Sequence, residues 1–172
     1  RYEAVGNPLG IPWQFIAGIH NLESGQRFTR HLHNGDLLVA RTTQVPAGRP
    51  VAGEPPFTWE ESAADALVWK GLHRVTDWTV PGILYQIEGY NGWGYRRYHP
   101  KTLSPYLWSF TNHYAAGKYV ADGKWDPAAV SQQCGAAALL KRLAMLQGVS
   151  VPAAAQTPPA PGTTPARGGF AA

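Results

Sequence analysis

The stretch from Ile11 to Gly25 constrains the fold of this chain most, because it predicts a helix that ends on a single acid. Pro12 is typical of the first turn of a helix, and Gly25 is typical of the residue that ends one. An apolar face recurs at helical spacing through Trp13, Ile16, Ile19 and His20. Glu23 continues this face. Burial raises the pKa of a carboxylic acid, so Glu23 is a candidate general acid; a helix-end glutamate that turns to water is the alternative.

Length and composition predict one soluble, folded domain. The chain has 172 residues, of which 44% are hydrophobic and 12% aromatic. No apolar run reaches the roughly 18 residues of a membrane span. The formal net charge of +4 favours anionic partners such as nucleic acid, an acidic membrane surface or bacterial cell wall. The lysine and arginine residues are scattered, which argues against nucleic acid.

A β-hairpin is predicted directly after this helix, from Phe28 to Val45. Asn34-Gly35 would form its turn, because both central positions of a type I′ turn need positive φ. Residues 46–56 are rich in glycine and proline and are expected to form a loop.

Four more helices are predicted after the hairpin. Thr58 and Glu61 have the spacing of a capping box, which starts the first of them. The predicted ranges are Trp59 to about Val75, Val80 to about Tyr90, 105 to 117, and 127 to 147, with a turn at Asp122-Gly123. The predicted fold class is therefore α+β and mostly α-helical, with one folded domain over residues 1–148. Residues 149–172 are rich in proline and alanine and are predicted to be a disordered linker or tail.

Glycoside hydrolysis normally uses two carboxyl groups, a protonated one in an apolar setting and an ionised one in a polar setting. Helix caps, turns and loops account for seven of the eleven acidic residues, which leaves Glu23, Asp36, Asp77 and Glu88. Glu23 fits the first description, and Asp36 at the hairpin tip fits the second. Simple turn chemistry is the alternative for Asp36, and Thr42 or Thr43 could instead hold the attacking water.

The segment from Tyr90 to Tyr98 is predicted to be an aromatic, glycine-rich loop that binds sugar rings. Two glycines bracket Trp93 and favour a ring presented to solvent. The alternative is that these aromatic residues belong to the core. The predicted substrate contacts are His20, His33, Asn34, Tyr90, Asn91, Trp93, Tyr95 and Tyr98.

Three motifs in this order resemble the lysozyme-like superfamily: Glu23-Ser24-Gly25 ends the first helix, Asn34-Gly35-Asp36 follows, and an aromatic loop starts at Tyr90. Residues 31–50 are also similar to a stretch found in a subset of lysozyme family proteins. The nearest likeness is to bacterial and phage muramidases, endolysins and lytic transglycosylases, and it covers most of residues 10–147. It implies a lysozyme-like fold with Glu23 as the general acid.

The resemblance implies cleavage of the β-1,4 bond between N-acetylmuramic acid and N-acetylglucosamine in peptidoglycan. We expect the water that completes hydrolysis to be positioned by Asp36 or Thr43. A lytic transglycosylase stays open, because Glu23 and Asp36 are thirteen residues apart, further than in phage-type lysozymes. A chitinase-like glycosidase is another alternative. We expect a monomer without a cofactor, acting on the cell wall in the periplasm or outside the cell. Its partner would be the glycan strand, not nucleic acid, and it would have no membrane span; bacterial and phage origin both stay open.

Two other classes of function are weighed against this one. A zinc hydrolase would use His20, Glu23, His31 and His33 as ligands, but the chain has no His-Glu-x-x-His motif and no metal is expected. A non-catalytic module that binds cell wall would use the aromatic residues as its platform. Such a module has no reason to bury Glu23.

Overall fold

The computed structural model describes residues 1–121 and 123–147. Within these ranges it has seven helices and one two-stranded antiparallel sheet, which confirms the mostly helical α+β class. In chain order they are α1 (Tyr2–Gly6), α2 (Trp13–Ser24), α3 (Trp59–Trp69), α4 (Val80–Asn91), α5 (Gly94–Tyr98), α6 (Pro105–Trp108), β1 (Lys118–Ala121), β2 (Lys124–Asp126) and α7 (Ala136–Gln147). Short 3-10 turns occupy Asn7–Leu9 and Leu72–Arg74. The predicted tail, 149–172, lies outside the described residues.

Helix α2 lies at the centre of the hydrophobic core. Phe15, Ile16 and Ile19 are fully buried in it, and the helix contacts α1, α4 and α7. Pro12 stands just before the helix in an extended conformation, and Gly25 ends it with a φ of 58°. The predicted helix and its last residue are therefore confirmed.

Helix α3 begins at the predicted capping box. The backbone N–H of Glu61 donates to the Thr58 hydroxyl (3.2 Å), and the N–H of Thr58 donates to the Glu61 carboxylate (2.8 Å). The helix ends at Trp69, earlier than predicted, because Gly71 turns the chain with a φ of 74°.

The predicted hairpin after α2 is wrong. Across residues 28–45, all of which are described, the structure has one isolated bridge, between Arg30 and Leu37. The backbone N–H groups of Thr43 and Gln44 donate to the side chain of Asp36, so they do not pair with an opposite strand. The segment is a loop, and the sheet of the described residues lies at β1 and β2 instead.

The predicted helices in the last third of the chain are too long. The helix that starts at Pro105 ends at Trp108, and Phe110 follows with a φ of 64°. The last helix begins at Ala136 and not at residue 127. The Asp126 carboxylate accepts hydrogen bonds from the next backbone N–H groups and forms a turn there. Gly123 has a φ of 67° between the two strands, and its neighbour Asp122 lies outside the described residues.

None of the helices in the described ranges is long and apolar enough to cross a membrane.

Candidate active site

Glu23 lies in the last turn of α2, and its carboxyl group is largely enclosed. The hydroxyl of Tyr106, on α6, donates a hydrogen bond of 2.5 Å to its Oε1. Burial raises the pKa of Glu23 to about 7, and the Tyr106 bond and the Lys70 ammonium only partly oppose this rise. A carboxyl group with this pKa is largely protonated just below neutral pH, which is the form that a general acid needs.

Tyr106 is a functional candidate that the sequence analysis missed. Burial and the nearby Glu23 hold the pKa of its hydroxyl well above the ordinary value, so it stays a proton donor in the hydrogen bond. The two residues are 83 positions apart. No local pattern around Tyr106 signals the contact, because only the packing of α6 near α2 creates it.

Gly35 brings the loop after α2 against Glu23. It has a φ of 80°, and a Cβ atom at this position would lie 2.7 Å from the backbone oxygen of Glu23. The guanidinium of Arg30 donates to the backbone oxygen of Gly35 (2.6 Å) and holds the loop there. The sequence Asn34-Gly35-Asp36 thus lies beside the candidate acid, although it is not a hairpin turn.

Asp36 is held as a carboxylate by hydrogen bonds from residues of the same loop. Its Oδ2 accepts four hydrogen bonds: from the N–H groups of Thr43 (2.8 Å) and Gln44 (3.1 Å), the Asn34 amide (3.2 Å) and the Thr43 hydroxyl (3.4 Å). Desolvation acts to raise the pKa of Asp36, but these hydrogen bonds outweigh it and the pKa lies below the ordinary value. Asp36 is therefore ionised at neutral pH.

Glu23 and Asp36 line the same pocket, which has a volume of about 430 Å³. Its other lining residues include Arg27, Arg30, Asn34 and Gln44. Thr43 is exposed and does not line this pocket, but it is hydrogen-bonded to Asp36, which does. Thr42 is buried, and its hydroxyl donates to the backbone oxygen of Pro46. The Thr42 hydroxyl is therefore occupied, whereas the exposed Thr43 hydroxyl lies 3.4 Å from Oδ2 of Asp36.

A second pocket, of about 380 Å³, adjoins the Glu23–Tyr106 pair on the side of Tyr106. Tyr106 lines this pocket and Glu23 lines the first one, so the hydrogen-bonded pair stands between the two. Gln133 also lines it and donates to the backbone oxygen of Leu22 (2.7 Å). The candidate acid, Glu23, thus has a pocket on each side, one shared with Asp36 and one lined by Tyr106. The remaining acid candidates lie elsewhere: Asp77 accepts hydrogen bonds from Thr79, and Glu88 pairs with Arg96.

The predicted aromatic loop is wrong, because most of it is helical. Helix α4 continues through Asn91 and α5 begins at Gly94. Of the predicted sugar contacts in this segment, Asn91 and Tyr95 line the second pocket. Asn91 is exposed, whereas Tyr95 is largely buried and accepts a hydrogen bond from the N–H of Tyr119 (3.3 Å).

The other three aromatic residues of this segment lie outside both pockets. Tyr90 is a core residue whose hydroxyl donates to the backbone oxygen of Leu32 (2.8 Å). Trp93 packs on the ring of Tyr85, with 4.6 Å between the centroids. Tyr98 is exposed but lines neither pocket. Their predicted role as a sugar platform at Glu23 is thus corrected to packing for Tyr90 and Trp93.

The predicted substrate contacts at His20 and His33 are also wrong, because both side chains are buried. His20 is packed among Tyr2, Phe28 and Trp59, and its Nδ1 is hydrogen-bonded to the Tyr2 hydroxyl (3.0 Å). The Nε2 of His33 is hydrogen-bonded to Asp65 (2.8 Å), which also pairs with Arg49. Burial lowers the pKa of both imidazoles and favours their neutral form.

Each of the four residues considered as zinc ligands is hydrogen-bonded to a different residue of the protein. His31 uses Nδ1 for the Ser62 hydroxyl (2.7 Å) and Nε2 for the backbone oxygen of Ala40 (2.8 Å). Among residues 1–121 and 123–147, no group of three or more His, Cys, Asp and Glu side chains is arranged to hold a metal ion.

No protein-family model, no curated protein and no solved structure matches this chain. Any function assigned to it therefore rests on the geometry around Glu23.

Proposed function

We propose that this chain is a glycoside hydrolase of the lysozyme type, which cleaves the β-1,4 bond between N-acetylmuramic acid and N-acetylglucosamine in peptidoglycan. One observation carries the proposal: two carboxyl groups with opposite pKa shifts, Glu23 and Asp36, line the same pocket. Carboxyl groups whose surroundings separate their pKa values in this way fit the acid and the charged partner of a glycosidase.

The proposed reaction begins with protonation of the glycosidic oxygen. Glu23 donates its proton to this oxygen as the bond to C1 of the muramyl unit breaks. The carboxylate of Asp36 stabilises the positive charge that develops on the sugar ring. Water then adds to C1, and the proton that it loses returns to a carboxylate of the pair.

A second candidate, a lytic transglycosylase, is favoured by the hydrogen bonds of Asp36. Its Oδ2 accepts four of them, which makes the carboxylate a weak base for activating water. In that case the 6-hydroxyl of the muramyl unit attacks C1, Glu23 takes up the hydroxyl proton, and the product contains an anhydro ring. This product is lighter than the hydrolysis product by one water molecule.

The charges near the carboxyl pair support peptidoglycan over an uncharged glycan such as chitin. Arg27 and Arg30 line the first pocket and Lys118 lines the second. Peptidoglycan carries carboxylates on its peptides and on lactyl groups that bear no peptide, and cations along a cleft raise the local concentration of such a polymer. We propose action as a monomer on the cell wall, in the periplasm or outside the cell, without a cofactor.

Clearing of a cell-wall suspension by the Glu23→Gln variant tests the proposal. We expect the wild type to clear the suspension and the variant to do so at least about 10³-fold more slowly, because the amide has no proton to donate. Glu54→Gln is the matched control, since Glu54 is exposed and lines neither pocket. Unchanged clearing by Glu23→Gln contradicts the proposal, and binding without clearing by the wild type favours a wall-binding module.

A further inference from the structure

A third cavity, of about 680 Å³, lies between α4 and α6 and shares no lining residue with the two pockets at Glu23. Leu107 and Trp108 of α6 line it, whereas Pro105 and Tyr106 of the same helix line the pocket beside Glu23. The cavity is thus separate from the candidate active site. Its size is within the range of about 300–1,000 Å³ that is usual for ligand sites.

The polar wall of this cavity contains a fixed ion pair. Arg96 donates a hydrogen bond from Nε (2.8 Å) to Oε2 of the buried Glu88, and its Nη2 lies 2.6 Å from the same oxygen in the ion pair. Within the described residues the other oxygen, Oε1, accepts no hydrogen bond. The guanidinium lies over the rings of Tyr85 (5.4 Å) and Trp93 (5.6 Å), yet 55% of the Arg96 side chain is exposed. The ion pair therefore presents a free acceptor oxygen on Glu88 and free N–H donors on Arg96, and the contact between the two residues fixes their positions.

Ser104 supplies an additional polar group on the same wall. It is only 2% exposed, and its hydroxyl has no hydrogen-bond partner among residues 1–121 and 123–147. A buried hydroxyl without a partner is unfavourable. A ligand with hydroxyl or amide groups would satisfy it.

The charges and walls of the cavity identify the class of ligand. Glu88 and Arg96 neutralise each other, so a charged ligand gains little net attraction there. The remaining walls are apolar and aromatic, and include Leu84, Leu103 and the half-exposed ring of Tyr85. An uncharged sugar combines both features, because its ring has an apolar face and its hydroxyl groups both donate and accept hydrogen bonds.

We propose that this cavity is a second glycan-binding site, in which a neutral sugar unit stacks on Tyr85 and bonds to Glu88, Arg96 and Ser104. Such a site would anchor a polymer at a distance from Glu23. It goes beyond the proposed reaction and does not require Glu23 to be catalytic.

Titration with N,N′,N″-triacetylchitotriose, followed by NMR of the ¹⁵N-labelled full chain, tests this site. The titration uses the Glu23→Gln variant, so that the probe is not consumed. We expect saturable shifts of the Arg96 Nε–H and of the Ser104 amide, with a dissociation constant on the order of 1 mM. Replacing Tyr85 by Ala in the same background should weaken this binding about tenfold, because the stacking face is lost.

Two further variants separate binding from damage to the fold. Ser104→Ala should also weaken binding, whereas Phe110→Ala should not, because Phe110 is an exposed aromatic residue that does not line the cavity. The proposal is overturned if the shifts are confined to the residues around Glu23, or if Tyr85→Ala and Ser104→Ala both bind as tightly as their parent. Failure of wall clearing would count against the role of Glu23 and not against this site.

Discussion

Glu23 and Asp36 carry the same chemical group in opposite surroundings. Glu23 ends an apolar helix face and receives one hydrogen bond, and the negative end of the α2 dipole further disfavours its charge. Asp36 receives hydrogen bonds from two backbone N–H groups and from neighbouring side chains. The apolar spacing in the sequence favours a buried Glu23, because burial follows from helix periodicity, but by itself it leaves a glutamate that turns to water as an alternative.

The pH dependence of stability tests the raised pKa of Glu23 without any assay of activity. In the unfolded chain this group loses its proton near its ordinary pKa of 4.5, and in the folded chain near about 7. Between these values the folded state binds more protons, so the wild type loses stability as the pH rises. We expect Glu23→Gln to be free of this loss, which is on the order of 3 kcal/mol at pH 8.

Urea unfolding of both proteins at pH 4 and pH 8 measures this difference. The free energy of unfolding of Glu23→Gln, relative to that of the wild type, should be larger at pH 8 than at pH 4 by that amount. An advantage that does not change between the two pH values would show that the pKa of Glu23 is not raised.

Removal of the Tyr106 hydroxyl should change how Glu23 titrates. The hydrogen bond from Tyr106 lowers the pKa of Glu23, so the pKa rises further in Tyr106→Phe. We expect the alkaline limb of the pH–rate profile for wall clearing to move to higher pH. Tyr114→Phe is the control, because its hydroxyl bonds to backbone oxygens of Gly117 and Ala129. An alkaline limb that stays in place in Tyr106→Phe would rule out a role for Tyr106 in setting this pKa.

The loop after α2 shows how an element can be misjudged while its location is right. The pair Asn34-Gly35 indicates a tight turn, and Gly35 does have positive φ. Thr43 and Gln44, near the end of the predicted return strand, bond instead to the Asp36 side chain. Hairpin rules count backbone pairs and do not include a carboxylate that competes for the same N–H groups.

Two glycines in this loop allow the close approach to Glu23 to be tested. Gly35 and Gly48 have similar φ values, 80° and 76°, but a Cβ atom at Gly48 would meet no atom within 4 Å. Alanine at either position should cost on the order of 1 kcal/mol of stability through backbone strain. Only Gly35→Ala should also displace Asp36 from Glu23 and reduce wall clearing, by about 100-fold. Equal activity of the two variants would contradict the proposed pairing of the carboxyl groups.

The separate roles of Asp36 and Thr43 can be tested by substitutions that remove different hydrogen bonds. Thr43→Val keeps the strong backbone bond to Asp36 and loses only the hydroxyl bond of 3.4 Å. We expect less than about threefold loss of clearing in this variant. Asp36→Ala removes the carboxylate itself and should lose about 100-fold or more. A large loss of wall clearing in Thr43→Val would instead show that the threonine hydroxyl positions the attacking water.

On the scale of the whole molecule, several residues that were predicted to contact the substrate are instead buried in the core. Tyr90, His20 and His33 all have the polar atoms of a binding residue, but each is buried and uses one of these atoms in a hydrogen bond inside the protein. Their partners are 18 to 58 residues away in the chain. Sequence patterns indicate which residue types are present and do not indicate which of them face a cleft. For the same reason the contact between Tyr106 and Glu23 could not be predicted.

Mass analysis of the fragments released from purified cell walls tests the central claim most directly. The wild type should release glycan fragments cut between N-acetylmuramic acid and N-acetylglucosamine, with reducing ends from hydrolysis, and Glu23→Gln should release almost none. Fragments lighter by one water molecule would identify the transglycosylase reaction at the same acid. Intact glycan strands after treatment with the wild type, or equal release of fragments by Glu23→Gln, would contradict the assignment of Glu23 as the general acid.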